Sequence, residues 1–123
     1  MKILRSSEEE EMKEIVRYLN ESCDEGAVIL VEGVSDRKAL LERGVKGKII
    51  TLHEFLRNFK TDIKGLKLIT LLDLDREGEN ILRRIEEKYS TLLRLDNSAR
   101  MRLRMTQRYK RGLRTIHQIF MPT

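Results

Sequence analysis

A chain of 123 residues is long enough for one domain with one hydrophobic core and too short for a second. Its 40% hydrophobic content, with one proline and seven glycines, excludes a disordered chain, and its lone cysteine, Cys23, excludes an intrachain disulfide framework or a cysteine-rich zinc site. A net charge of +5 favours an anionic partner, nucleic acid first, although 5% aromatic residues supply a base-stacking surface poorly.

In chain order, the first residues contain no apolar stretch of signal-peptide length, and no later run approaches a membrane span. The expected location is therefore the cytoplasm, without a membrane partner. Ser7 and Glu10 have capping-box spacing, and Glu8 to Glu11 follow where a helix dipole favours acids. Met12, Ile15, Val16 and Leu19 repeat at helical spacing, which predicts an amphipathic helix over residues 7–22. After Gly26, the β-branched run Ala27 to Val31 reads as a strand buried on both faces. Ser35 or Asp36 is placed to cap a helix ending near Arg43, with Ala39, Leu40 and Leu41 inward and Gly44 at its C′ position.

Lys48 to Leu52 reads as a second strand and His53 to Phe59 as a short helix, with Phe55, Leu56 and Phe59 on one side. A third strand is predicted over 67–72, a helix from Arg76 to about Tyr89, and a fourth strand over Thr91 to Leu95. Met101, Leu103 and Met105 alternate with Arg100, Arg102 and Arg104 as in a strand, but these residue types are good helix formers. The favoured reading is a helix capped by Ser98 and running to about Arg111; Leu113 to Phe120 then forms a short strand or turn. Strands and helices in alternation predict an α/β fold with a mostly parallel four-stranded sheet between helices.

The third strand runs into Asp73-Leu74-Asp75-Arg76-Glu77-Gly78-Glu79. Two carboxylates at i and i+2 on extended backbone point the same way, and like charges that close raise each other's pKa unless a cation joins them. In a parallel sheet the strand ends share one edge, which brings Glu32, at the end of the first strand, to the same crevice. Oxygen ligands on a short loop suit Mg²⁺ or Mn²⁺ rather than zinc, and such ions share their shell with phosphate oxygens. Asp73 and Asp75 are the expected metal ligands. Glu77 is available for a second ion or a bound water, and Arg76 for a phosphate. Gly78 permits a close backbone approach.

Val31-Glu32-Gly33 with Asp36, Ala39 and Leu40 resembles the first motif of Toprim domains, and Asp73 to Glu79 resembles their second, D-x-D-x-x-G. The resemblance spans residues 25–96. It implies a three-layer Toprim or Rossmann-like fold, Mg²⁺ on Asp73 and Asp75, and Glu32 as general acid or base or as an additional metal ligand. Toprim domains serve topoisomerases, bacterial-type primases, ribosomal-RNA maturases, nucleases and repair proteins. Topoisomerases need a further domain with a nucleophilic tyrosine, and primases need a zinc-binding region; neither is present in this sequence. In layout the chain is more similar to the maturase domain or to small stand-alone Toprim proteins. The expected organisation is a single domain, 1–123: an amino-terminal helix over 1–25, the Toprim core over 26–96 and a basic extension over 97–123.

Arg94, Arg100, Arg102, Arg104, Arg108, Lys110, Arg111 and Arg114 face one acid, Asp96, in the terminal stretch, while the first 25 residues are net acidic. Two readings stand: a surface that tracks nucleic-acid phosphates, and a face paired with the acidic first helix. The first is favoured, with Arg37, Lys38, Arg76, Arg100, Arg102, Arg104 and Arg108 as the contacts. The expected activity is a Mg²⁺-dependent nuclease of the RNA-processing type, with RNA rather than DNA as substrate. A non-catalytic nucleic-acid-binding or assembly module, or a primase- or topoisomerase-like accessory subunit, is the alternative. The Met-rich terminal segment suits a homodimer or a partner protein. His117 has no partner in the sequence.

Overall fold

The structure, a computed structural model, describes residues 7–58 and 63–122; Phe59 lies outside them. Four strands, β1 (Val28–Val31), β2 (Ile49–Thr51), β3 (Lys67–Thr70) and β4 (Arg94–Asp96), form one parallel sheet in the order β2-β1-β3-β4. The chain leaves β1 towards β2 on one side, then crosses back to place β3 on the other. The strand order therefore reverses between β1 and β3, which in an open parallel sheet opens a crevice outside their carboxyl ends.

Two-residue periodicity splits β1 between two layers. Ile29 and Val31 join Ile49, Ile69 and Leu71 under α1 (Glu8–Asp24), α2 (Val34–Glu42), α5 (Ser98–Leu103) and α7 (Ile116–Ile119). Val28 and Leu30 join Ile50, Leu68 and Leu72 under α3 (Leu52–Asn58) and α4 (Arg76–Tyr89). The result is an α/β three-layer architecture. Ile29, Leu30, Leu68 and Ile69 are fully buried, and each such side chain contributes about 1.5–3 kcal/mol relative to an exposed one.

The first helix forms as its spacing predicts. Ser7 Oγ accepts from Glu10 N–H at 3.1 Å, Glu10 Oε1 accepts from Ser7 N–H at 2.9 Å, and Met12, Ile15 and Leu19 enter the core. At α2 the cap differs from expectation. Gly33 occupies the N-cap, and Asp36, three residues on, accepts the Gly33 N–H at 3.0 Å. Leu41 and Leu56 are exposed rather than inward, because α2 and α3 each bury a narrower stripe, carried by Leu40 and Phe55.

The carboxyl-terminal segment departs furthest from the sequence reading. The helix that begins at Ser98 stops at Leu103 and restarts as α6 (Gln107–Lys110). Thr106 causes the break: its hydroxyl donates to Leu103 O at 2.6 Å and accepts from Tyr109 N–H at 3.3 Å, ending one helix and capping the next. Gly112, at φ 106°, turns the chain, and residues 116–119 form a helical turn, not a strand. Leu103, Ile116, Ile119 and Phe120 are fully buried in the α1–α2 layer. These four side chains anchor the terminal segment to the core. No helix among the described residues is long and apolar enough to cross a membrane.

Candidate active site

Glu32 follows β1 and Asp73 follows β3, so both emerge where the strand order reverses. They touch: Asp73 N–H donates to Glu32 Oε2 at 3.0 Å. Burial pushes the Glu32 carboxyl up to about 7, and the Asp73 and Asp75 charges add to the effect against the opposing hydrogen bond from Asp73 N–H. Asp73 is buried, and its carboxyl is also raised by that burial, with Asp36 and Asp75 adding. The Ile116 N–H, donating to Asp73 Oδ1 at 2.8 Å, works in the opposite direction. Asp75 is the N-cap of α4 and accepts the Gly78 N–H at 2.8 Å.

Gly78 is required by packing. A Cβ at that position would lie 1.9 Å from the Asp73 carbonyl oxygen. The loop therefore folds flat onto the first turn of α4. Arg100 locks it from beneath, donating to Leu72 O at 3.0 Å and to Asp73 O at 2.7 Å, and pairing with Glu79 at 2.6 Å while only 3% exposed.

Two further residues complete the cluster, and neither was assigned a role in chemistry from the sequence. Asp36 is buried and close enough to raise the carboxyls of Glu32 and Asp73. Its Oδ1 accepts the His117 N–H at 3.0 Å and meets His117 Nδ1 at 3.1 Å. The Gly33-to-Asp36 spacing signals the carboxylate; nothing local signals His117, which comes from 81 residues away.

The expected metal ligands divide. Asp73 and Asp75 flank one short loop beside Glu32, whereas Glu77 is exposed on α4 with no bond to them. Among the described residues, no three Asp, Glu, His or Cys side chains enclose a position for a metal ion. Glu32, Asp73 and Asp75 each use one carboxylate oxygen in a backbone hydrogen bond. No side-chain oxygen among the described residues is both buried and unpartnered, so their second oxygens remain open to solvent. The set fits an ion held by one or two carboxylates with most of its waters retained, as Mg²⁺ prefers, and not a closed protein cage.

The expected nucleic-acid contacts also divide. Lys38, Arg76 and Arg102 are exposed. Arg37 pairs with Glu54 at 2.8 Å, and Arg104 bonds Glu79 and the Tyr109 hydroxyl. Arg100 and Arg108 are buried and cannot form a surface. Arg108 is 2% exposed, donates to Ile119 O at 2.8 Å and Met121 O, and pairs with Glu8 at 3.3 Å and Glu9 at 2.8 Å. Arg111 also pairs with Glu8, at 2.9 Å. The physical reason is charge pairing: Arg108 and Arg111 neutralise the acidic start of α1, whereas Arg100 and Arg104 neutralise Glu79 of α4.

No family model matches the chain. It is 34% identical over 73 residues to a UPF0292 protein of Methanosarcina barkeri, covering 57% of this chain and 51% of that protein. It is 33% identical over 84 residues to a UPF0292 protein of Methanosarcina acetivorans, covering 65% and 58%. The chain thus spans a little over half the length of the curated relatives it matches. Among solved structures it is similar to a protein of Aquifex aeolicus, with a TM-score of 0.66 and 28% identity over 86% of this chain and 95% of that one.

Proposed function

We propose that this chain is a Toprim-type, Mg²⁺-dependent nuclease of the cytoplasm that cleaves phosphodiesters in structured RNA. The observation that carries the reading is the convergence of Glu32, Asp73 and Asp75 outside the carboxyl ends of β1 and β3. Asp73 and Asp75 would hold the ion, which when bound supplies neutralisation of phosphate charge and acidification of a water. Glu32, with its carboxyl near neutrality, holds or releases a proton in the range where a general acid–base group works best. Arg100 holds the Asp73 backbone through its carbonyl, which helps to keep the carboxylates in register.

The test incubates the pure protein with labelled RNA and DNA in Mg²⁺, Mn²⁺ or EDTA. RNA cleavage is expected with either metal and none with EDTA. Asp73→Asn and Glu32→Gln, which keep the shape of each side chain, should each lower the rate by roughly 100-fold or more. Undiminished cleavage in both variants overturns the assignment, and no cleavage of any substrate overturns the nuclease reading. The burial of Arg100 and Arg108 favours a second reading, a metal-binding module without turnover, because it removes two of the expected phosphate contacts.

A further inference from the structure

Packing of α7 on α2 creates a cleft of about 230 Å³ lined by Ser35, Lys38, Ala39, Glu42, His117, Met121 and Pro122. Ser35, Lys38, Ala39 and Glu42 lie at i, i+3, i+4 and i+7, so one stripe of α2 forms the wall. His117 stands opposite, and its ring is held in place. Asp36, 4% exposed and fixed by the Gly33 N–H, takes both the backbone N–H and the Nδ1 of His117 on one oxygen. With Nδ1 committed to a carboxylate, Nε2 is the ring nitrogen left without a protein partner, on a side chain 42% exposed. The neighbouring Ile116 N–H holds Asp73, so the cleft adjoins the acidic centre.

We propose that this cleft is a subsite for one backbone phosphate of a nucleic acid, adjacent to the phosphate at the acidic centre. The proposal rests on the reading given under Proposed function. Lys38 supplies a cation and Ser35 a hydroxyl donor. His117 offers Nε2 as a third polar contact, its ring held in place by Asp36. The charged groups around the ring are Asp36, Lys38 and Glu42 of α2 and Asp73 after β3. Glu42 lies two turns along α2 from Ser35, which leaves the amino-terminal end of the stripe for the anion.

The chain has two histidines, and His53 on α3 does not line the cleft, so it serves as an internal reference. Imidazole signals are followed by two-dimensional NMR in the metal-free 123-residue chain during titration with a short oligoribonucleotide, and separately with inorganic phosphate. The His117 signals should move and saturate with the oligonucleotide while those of His53 stay still. Lys38→Ala should weaken the response by roughly ten-fold. Unmoved His117 signals in both arms overturn the subsite. Equal affinity for inorganic phosphate and oligonucleotide overturns its assignment to nucleic acid. The readout needs neither metal nor turnover: an inactive protein whose His117 responds keeps the subsite and loses the nuclease reading, and cleavage with unmoved His117 does the reverse.

Discussion

Single residues at the site act through backbone contacts as much as through charge. Gly78 is the clearest case. It sits inside a helix, where replacing glycine by alanine ordinarily stabilises by about 1 kcal/mol. Here the added methyl carbon would meet the Asp73 carbonyl at 1.9 Å, and that oxygen is held by Arg100. The sign should therefore reverse: Gly78→Ala is expected to destabilise by about 1–3 kcal/mol in urea unfolding. Stabilisation would mean that the loop yields freely and does not hold Asp73. The close approach at Gly78 was legible in the sequence because glycine after two acids at a strand end has few other uses. Arg100 was not: nothing near it in sequence separates an arginine under a loop from one on a surface.

Among the elements, the short helices after Ser98 show where sequence periodicity runs out. Strands β1 and β3 and helices α1 and α4 were legible, since each carries a full period of buried side chains. Residues 98–119 make three short helices whose boundaries depend on one hydroxyl at Thr106 and one at Thr115. Such caps contribute about 1 kcal/mol and leave little trace in a hydrophobic pattern. What holds these elements down is Arg108, not a surface arginine as the charge asymmetry suggested. Arg108→Ala would strand the Ile119 carbonyl and remove one of two arginine partners from the Met121 carbonyl and from Glu8 and Glu9, which keep Arg43 or Arg111. A loss of about 1–3 kcal/mol is expected by chemical denaturation, from the unpaired buried carbonyl. Arg111→Ala, in the same cluster but 59% exposed, should change stability by no more than about 1 kcal/mol. Equal effects would show that the pairing with α1 is a surface matter. The same distance from local pattern explains why Asp36 and His117 could not be joined in advance: they meet only because α7 packs on α2.

For the molecule as a whole, the crevice gathers acids in a chain of net charge +5, and without a cation that gathering costs stability. Glu32 sets the pH at which the cost appears. Below its ordinary value of 4.5 it is protonated whether the chain is folded or not, and it contributes nothing. Between 4.5 and about 7 the folded chain keeps a proton that the unfolded chain releases, so stability falls as pH rises through that window. The raised Asp73 carboxyl acts in the same direction. Glu79, held low chiefly by Arg100, acts in the opposite sense, but its contribution is lost only as pH falls through the ordinary carboxylate range and below. The two regimes therefore separate. The Glu32 cost is at most about 3 kcal/mol, reduced by solvent screening because the side chain is half-buried. In urea unfolding of the metal-free chain, stability should decline from about pH 5 to about pH 7.5, and Glu32→Gln should flatten most of that decline. Mg²⁺ at roughly 100 times its Kd should restore about 2.7 kcal/mol at the upper end. It should restore less at the lower end, where a proton on Glu32 already relieves the repulsion and competes with the ion. A metal-free chain that grows more stable across this range, or a Mg²⁺ effect independent of pH, would mean that these carboxylates do not act as one site.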